Sequence, residues 1–140
     1  KISQHGHTGS GDGTKMVTAS YTDLSVTSAK LAKNIALAVA TALVPAGTTQ
    51  AIDFNNGNNQ KLDLGSASGN VTVSFNNPSA GGRYTLLVVQ AATPRSIVWP
   101  TIKWANGQAP ILSETNDAID KVHLYYDGTD WYGDWNLAYA

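Results

Sequence analysis

Residues 71–90 of this chain read VTVSFNNPSAGGRYTLLVVQ, and this stretch decides the fold class. Residues 71–75 alternate apolar and polar side chains, which is typical of a strand with one buried face. Residues 83–90 form a continuous run of β-forming apolar residues, which predicts a central strand buried on both faces. Asn77-Pro78 and Gly81-Gly82 break the chain between these segments, so the stretch predicts two strands.

The same signals continue over residues 48–140. Apolar segments around Ile52 and Leu62 predict two shorter strands, and the Asp-Gly-Thr-Asp sequence at 127–130 predicts a hairpin turn between aromatic strands. Turn signals recur roughly every ten residues, which favours an antiparallel β-sandwich, jelly-roll-like in form. We therefore expect a mainly β head over residues 48–140.

The residues before the head differ in composition. Residues 1–16 are rich in Gly and polar, and residues 17–47 predict a short helical or extended stalk that Pro45 and Gly47 end. Apolar residues of the stalk recur at steps of three and four, which is compatible with a trimeric seam or with one amphipathic helix lying on a sheet. The predicted stalk contacts of the trimer are Leu24, Leu31, Ile35 and Ala38.

Composition excludes several classes of partner. Charged residues make up 14% of the chain and the net charge is −1, so no basic cluster offers a footprint for nucleic acid. No apolar run approaches the ~20 residues that a membrane helix needs. The chain has no cysteine, which excludes disulfides and thiolate metal sites. The low charge and abundance of Asn, Thr, Ser and Gly suit contact with neutral polar ligands such as glycans.

An ordered series of short motifs resembles the C-terminal domain of bacteriophage tail-fibre and tail-collar proteins. The motifs are AIDFNNGNNQ at 51–60, VTVSFNNP at 71–78, VWP at 98–100, KWANGQAP at 103–110 and YDGTDWYG at 126–133. The His-Gly-His-Thr-Gly sequence at 5–9 resembles a motif that often precedes this domain in such fibres. Together these stretches span nearly the whole chain.

The resemblance implies an intertwined homotrimer at the distal end of a tail fibre. Such a tip attaches the virion to a bacterial surface polysaccharide or protein receptor, joins an upstream fibre or baseplate segment, and is assembled in the host cytoplasm. The absence of cysteine and of a visible signal peptide agrees with that origin.

His5 and His7 are the predicted metal ligands. Side chains two residues apart in an extended segment point the same way, so three chains would supply six nitrogens around a threefold axis, which suits an octahedral metal. The resemblance to His-x-His needles of tail fibres implies iron. A solvated loop, or imidazoles that bond each other or Thr8, remain alternatives. His123 has no partner at useful spacing and is interpreted as structural.

Catalytic motifs are missing, and we expect a protein that is not an enzyme. Asp127, Asp130 and Asp134 lie near two tryptophans and suggest a glycosidase pair, but Asp127-Gly128 is better explained as a turn. Residues 53–59 offer oxygen ligands for calcium but lack the final Glu of a standard loop, which favours a polar turn.

Sugar-binding sites combine an exposed aromatic ring with polar groups. The predicted receptor-binding residues are Trp104, Asn106, Gln108, Tyr125 and Tyr132. Most tryptophans belong to the motifs of the resemblance and are expected in the core or at the trimer interface. Two rival functions stay open: a purely structural collar or baseplate component of the virion, and a monomeric carbohydrate-binding module.

Overall fold

The computed structural model describes residues 42–139, which form a mainly β structure. The strands are β1 (Thr49–Asp53), β2 (Asn59–Asp63), β3 (Val71–Asn76), β4 (Gly82–Val89), β5 (Ile97–Val98), β6 (Lys103–Trp104), β7 (Ile119–Tyr126) and β8 (Trp131–Tyr139). Three one-turn 3₁₀ helices, Phe54–Asn56, Leu64–Ser66 and Ala105–Gly107, are the helical elements of this part of the chain. The prediction of a mainly β head is confirmed.

The strands form two sheets, and the chain alternates between them. One sheet has the order β1-β3-β5 and the other has the order β2-β4-β7-β8-β6. Each strand from β2 to β6 lies in the opposite sheet from the strand before it. The chain therefore completes a full circuit between two successive strands of the same sheet. The pairs β1–β3, β3–β5 and β2–β4 are parallel for this reason. The pair β6–β8 is also parallel, although β7, between them in the chain, lies in the same sheet. The two sheets make a sandwich-like arrangement.

The prediction of antiparallel pairing was therefore wrong for most strand pairs. Antiparallel pairing is confined to β4–β7 and β7–β8 among the described strands. The predicted hairpin at residues 127–130 is confirmed, because it joins β7 to β8 within one sheet. The turns between β1 and β6 carry the chain to the opposite sheet. The turn residues alone do not show whether a turn crosses to the other sheet or forms a hairpin within one sheet.

Two corners of similar sequence produce this winding. At the first, Asp53 accepts a hydrogen bond from the Asn55 N–H at 2.9 Å, and Phe54 turns into the core with 2% of its surface exposed. At the second, Asp63 accepts from the Gly65 N–H at 2.9 Å, and Leu64 is fully buried. An aspartate cap between two apolar side chains therefore buries the corner while satisfying the freed backbone donors.

Aromatic rings fill the space between the sheets. Phe54 lies 4.0 Å from Tyr84 and 5.4 Å from both Phe75 and Trp131, measured between ring centroids. Tyr84 and Trp131 belong to the five-stranded sheet and Phe75 belongs to the three-stranded sheet. The Tyr84 hydroxyl also accepts a hydrogen bond from the Ser79 N–H at 2.8 Å, so its polar atom is satisfied.

The strand β4 has two different faces. Tyr84, Leu86 and Val88 are buried, whereas Arg83 on the opposite face is exposed and Thr85 is half-buried. The prediction of a strand buried on both faces was wrong for most of β4, because Arg83 and Thr85 reach solvent on the outer face, where Val89 at the end of the strand is buried. The strict alternation predicted for residues 71–75 is confirmed at Val71 and Val73.

Two buried polar side chains, Gln90 and Asp120, hold the long segment between β6 and β7 at Ser113, and Gln90 also holds the loop between β4 and β5. The Gln90 amide donates to the carbonyl oxygens of Arg95 and Ser113 at 3.0 and 2.9 Å, and its oxygen accepts from two backbone N–H groups. Asp120 accepts from the Ser113 N–H and hydroxyl, both at 2.7 Å, and from the Ala138 N–H at 2.9 Å. These side-chain hydrogen bonds hold the segment between β6 and β7 at Ser113, where the backbone forms no strand or helix.

The paired part of the β structure begins before residue 48, the predicted start of the head. The Leu43 N–H donates to the Lys61 carbonyl oxygen at 2.8 Å, and the Asp63 N–H donates to the Leu43 carbonyl oxygen at 2.8 Å. Leu43 therefore forms a parallel bridge with Leu62.

We expect Leu62→Ala to lower the free energy of unfolding by about 2–5 kcal/mol, since Leu62 is fully buried and truncation leaves a cavity. Denaturant unfolding of the full chain measures this change. Thr101→Ala is the control, because Thr101 is exposed and outside the core, and its truncation should change stability by less than about 0.5 kcal/mol. Equal effects of the two substitutions would contradict the position of the core.

Candidate functional site

The outer face of the five-stranded sheet carries a row of four side chains from four strands. In the register of the sheet, Arg83 of β4 lies opposite Tyr125 of β7, and Tyr125 lies opposite Tyr132 of β8. Lys103 of β6 lies on the far side of Tyr132. We call these four residues the tyrosine row. Since side chains on neighbouring strands stand about 5 Å apart in such pairs, the row forms one continuous surface.

The two rings of the tyrosine row lie between two cations. The ring centroids of Tyr125 and Tyr132 are 6.1 Å apart, with an angle of 38° between their planes. The Arg83 guanidinium carbon lies 5.5 Å from the Tyr125 centroid, and the Lys103 Nζ lies 5.4 Å from the Tyr132 centroid. Both distances allow cation–π attraction, which holds the rings and cations together. Tyr125 is 36% exposed and Tyr132 is 39% exposed, so both rings are open to solvent.

A second row of polar side chains runs beside the first. Thr85 lies opposite His123, and His123 lies opposite Asp134. The two rows line a groove of about 620 Å³, which also includes parts of Trp104 and Gly133. The groove therefore offers aromatic rings on one side, and a hydroxyl, an imidazole and a carboxylate on the other. His123, which the sequence suggested to be structural, lies on this outer face.

The hairpin turn after β7 positions Tyr132. The Asp127 carboxylate accepts from the backbone N–H groups of Asp130 and Thr129 at 2.7 and 2.8 Å, and from the Tyr132 hydroxyl at 3.2 Å. The backbone N–H groups of Asp130 and then Thr129 hold the pKa of Asp127 below its usual range, because they stabilise the charged carboxylate. The turn prediction for residues 127–128 is confirmed.

Lys103 is also fixed by this turn. Its ammonium group lies 2.6 Å from a carboxylate oxygen of Asp130, and this hydrogen bond raises the pKa of Lys103 above its usual value. Both side chains are partly exposed, so solvent screens the pair and it orients Lys103 more than it stabilises the fold.

The carboxylates that suggested catalysis or calcium binding have other contacts. Asp127 and Asp130 are engaged in the turn and in the ion pair, and Asp134 is the one of the three that lines the groove. Asp53 caps a 3₁₀ helix and accepts from the Asn77 amide at 3.0 Å, as expected of a polar turn. Among residues 42–139 there is no group of three His, Cys, Asp or Glu side chains that could hold a metal ion.

Three of the five predicted receptor-binding residues line the groove, namely Trp104, Tyr125 and Tyr132. The Trp104 ring packs edge-to-face against Trp99 and Trp135, with centroids 5.4 and 5.8 Å away, so it belongs largely to the tryptophan cluster of the core. Gly133 lies under this ring, where a Cβ would come within 2.5 Å of it. Asn106 and Gln108 are exposed in the segment after β6 and do not line the groove.

Several predicted residues lie outside the described part of the chain. These are the metal ligands His5 and His7 and the stalk residues Leu24, Leu31, Ile35 and Ala38. Arg83 and Lys103 were not selected as site residues from the sequence, since only strand register brings them to the tyrosines.

Comparison of the chain with protein-family models, curated proteins and solved structures gave no match. None of the described residues forms a helix long and apolar enough to cross a membrane.

Acid should weaken the β7–β8 hairpin through Asp127. Because its pKa is lowered in the folded state, Asp127 contributes stability that is present above its unfolded pKa of about 4 and is lost as pH falls through the lower folded value. We expect Asp127→Asn to show a shallower loss of stability than the wild type below pH ~4. Denaturant unfolding at several pH values measures the two slopes, and parallel slopes would contradict this role of Asp127.

Proposed function

We propose that this protein is the tip of a bacteriophage tail fibre and attaches the virion to a bacterial cell-surface glycan. The observation that carries the proposal is the exposed tyrosine row with a polar row beside it. It adds to the resemblance of the sequence motifs to tail-fibre C-terminal domains.

The groove has the chemistry that a sugar requires. A sugar ring presents an apolar C–H face and a rim of hydroxyl groups. Tyr125 and Tyr132 offer aromatic faces for the first, while His123, Thr85 and Asp134 offer donors and acceptors for the second. The Asp127 hydrogen bond and the Lys103 contact hold Tyr132 in place before any ligand arrives, which lowers the entropy cost of binding.

A homotrimer fits the described surface. Several large apolar side chains are exposed in a small domain, and oligomerisation is the usual way to cover them. These residues are Val44, Val98, Ile111, Leu137 and Tyr139. In addition, β6 pairs with β8 only at Tyr132 and Gly133, which leaves the rest of that edge of β8 without a partner strand among residues 42–139.

A monomeric carbohydrate-binding module is the second candidate. It is favoured by the fact that all four residues of the tyrosine row belong to one chain, so the groove is complete without a second copy. The mass of the protein in solution separates the two candidates.

We expect Tyr132→Ala to weaken attachment of the full chain to bacterial cells by about tenfold or more, because truncating a central aromatic contact commonly costs 1–3 kcal/mol. Fluorescently labelled protein and a panel of bacterial strains provide the measurement. Thr49→Ala is the control, since Thr49 is an exposed residue of the three-stranded sheet, outside the groove.

Light scattering of both variants accompanies this test. A trimer mass retained in Tyr132→Ala assigns the loss of attachment to the groove, whereas a fall to monomer would place Tyr132 in the subunit interface. A wild-type trimer that attaches to no strain would overturn the adhesion role and favour a structural part of the virion.

The trimer and its metal are tested together by light scattering with metal analysis of the same peak. We expect the mass of three chains with about one iron ion per trimer, bound by His5 and His7, and loss of the metal in a His5→Ala, His7→Ala double variant. A trimer without metal would support the fibre architecture and contradict the metal site. A stable monomer would overturn the fibre architecture.

A further inference from the structure

Positive charge is concentrated on the outer face of the five-stranded sheet. Residues 42–139 contain five Lys and Arg residues against eight Asp and Glu residues, so this part of the chain is acidic. Four of those five cations lie on the one face that carries the tyrosine row: Lys61, Arg83, Lys103 and Lys121. Arg95, the fifth, lies in the loop after β4.

The register places these cations at intervals across the face. Arg83 and Lys103 end the tyrosine row on its two sides. Lys61 of β2 and Lys121 of β7 both lie opposite Leu87 of β4, one on each side of it. Leu87 and Arg83 are four residues apart on one strand, so the lysine pair lies about 13 Å along the strands from the tyrosine row.

Most of these charges are not neutralised within the fold. Lys103 is paired with Asp130, but Arg83, Lys61 and Lys121 have no carboxylate within 4.0 Å among the described residues. Like charges on one sheet face repel each other and reduce stability. Such a grouping in an otherwise acidic domain therefore points to an anionic ligand.

Four carboxylates adjoin this face: Asp127 and Asp130 are engaged at the turn beside Tyr132 and Lys103, and Asp63 and Asp134 lie on strands of the sheet. The cations without a carboxylate partner therefore lie on or beside β4. Asp63 lies at the end of the edge strand β2, where its oxygen accepts from the Gly65 N–H. Asp134 lies on β8, two strands away from Arg83, and faces His123. Asp134 is thus placed to accept sugar hydroxyls, while Arg83 remains available for an acid group.

We infer that the groove binds an anionic glycan whose carboxylate or phosphate group is held by Arg83 while its sugar ring lies on Tyr125. This inference rests on the proposed function and names the ligand class of the same groove. The guanidinium plane supplies paired donors that match the oxygens of a carboxylate or phosphate. The guanidinium lies over the Tyr125 ring, 5.5 Å from its centroid, and lines the groove.

A polymeric ligand would meet the lysines as well. A second hollow of about 280 Å³ on the same face is lined by Asn59, Gln60, Thr85, Leu87 and Lys121. Thr85 borders both hollows, so the second continues the first. An acidic polysaccharide that runs along the strands can therefore place one acid group at Arg83 and a later one at Lys121.

The test is an NMR titration of the ¹⁵N-labelled full chain with three probes: galacturonate, galactose and glycerol 3-phosphate. Galacturonate and galactose share one ring, and only the first carries a carboxylate. We expect galacturonate to shift the Tyr125 and Tyr132 signals at concentrations about tenfold lower than galactose, because a charge-assisted hydrogen bond is commonly worth that factor. A stronger effect of glycerol 3-phosphate would assign the phosphate class.

Arg83→Gln should raise the Kd for galacturonate about tenfold more than it raises the Kd for galactose, because only galacturonate loses a charge-assisted contact. Arg95→Gln is the matched control, because it removes the same charge from outside the groove. Equal binding of the two sugars, no titration by either acid, or an unaffected Arg83→Gln variant would overturn the inference.

The outcomes also separate this inference from the adhesion role. If galactose binds as well as galacturonate while Tyr132→Ala still abolishes attachment to cells, the adhesion role stands with a neutral ligand. If galacturonate binds through Arg83 while Tyr132→Ala leaves attachment unchanged, the groove binds acids but is not the adhesion site.

Discussion

The contact between the two sheets at Phe54 is the interaction on which the rest of the structure depends. Phe54 lies on a corner between the sheets and packs against Tyr84 and Trp131 of the five-stranded sheet. Trp131 immediately precedes Tyr132, and neighbouring residues of a strand point to opposite faces. Burial of Trp131 against Phe54 therefore turns Tyr132 outward, so the core determines which side chains form the binding face.

The inner and outer faces of β3 and β8 could be predicted from the sequence better than the pairing of strands, whereas those of β4 could not. Alternation placed Val71 and Val73 inside and set Trp131 and Tyr132 on opposite faces, because side-chain period depends only on local geometry. Parallel pairing depends on whether a corner crosses between sheets. The one local signal for this was the repeat of an aspartate between two apolar residues, Ile52-Asp53-Phe54 and Leu62-Asp63-Leu64, ten residues apart.

The candidate site was predictable in its aromatic half only. Tyr125 and Tyr132 flank a recognisable hairpin turn, so their proximity follows from local sequence. Arg83 is separated from them by some forty residues and Lys103 by some twenty, and their positions depend on long-range register. His123 had no neighbour in sequence that indicated a role, yet the same register sets it between Thr85 and Asp134.

Gln90 and Asp120 hold the segment between β6 and β7 mainly through its main-chain atoms. Main-chain atoms are the same for nearly every amino acid, so this anchorage places little restriction on the side chains of that segment. An exposed position such as Gln108 can then change its side chain while the chain keeps its path, whereas Asn106, with a φ of 60°, favours Asn or Gly. Such a segment is a natural region for diversification under selection, and a practical site for grafting peptides or building libraries on this scaffold.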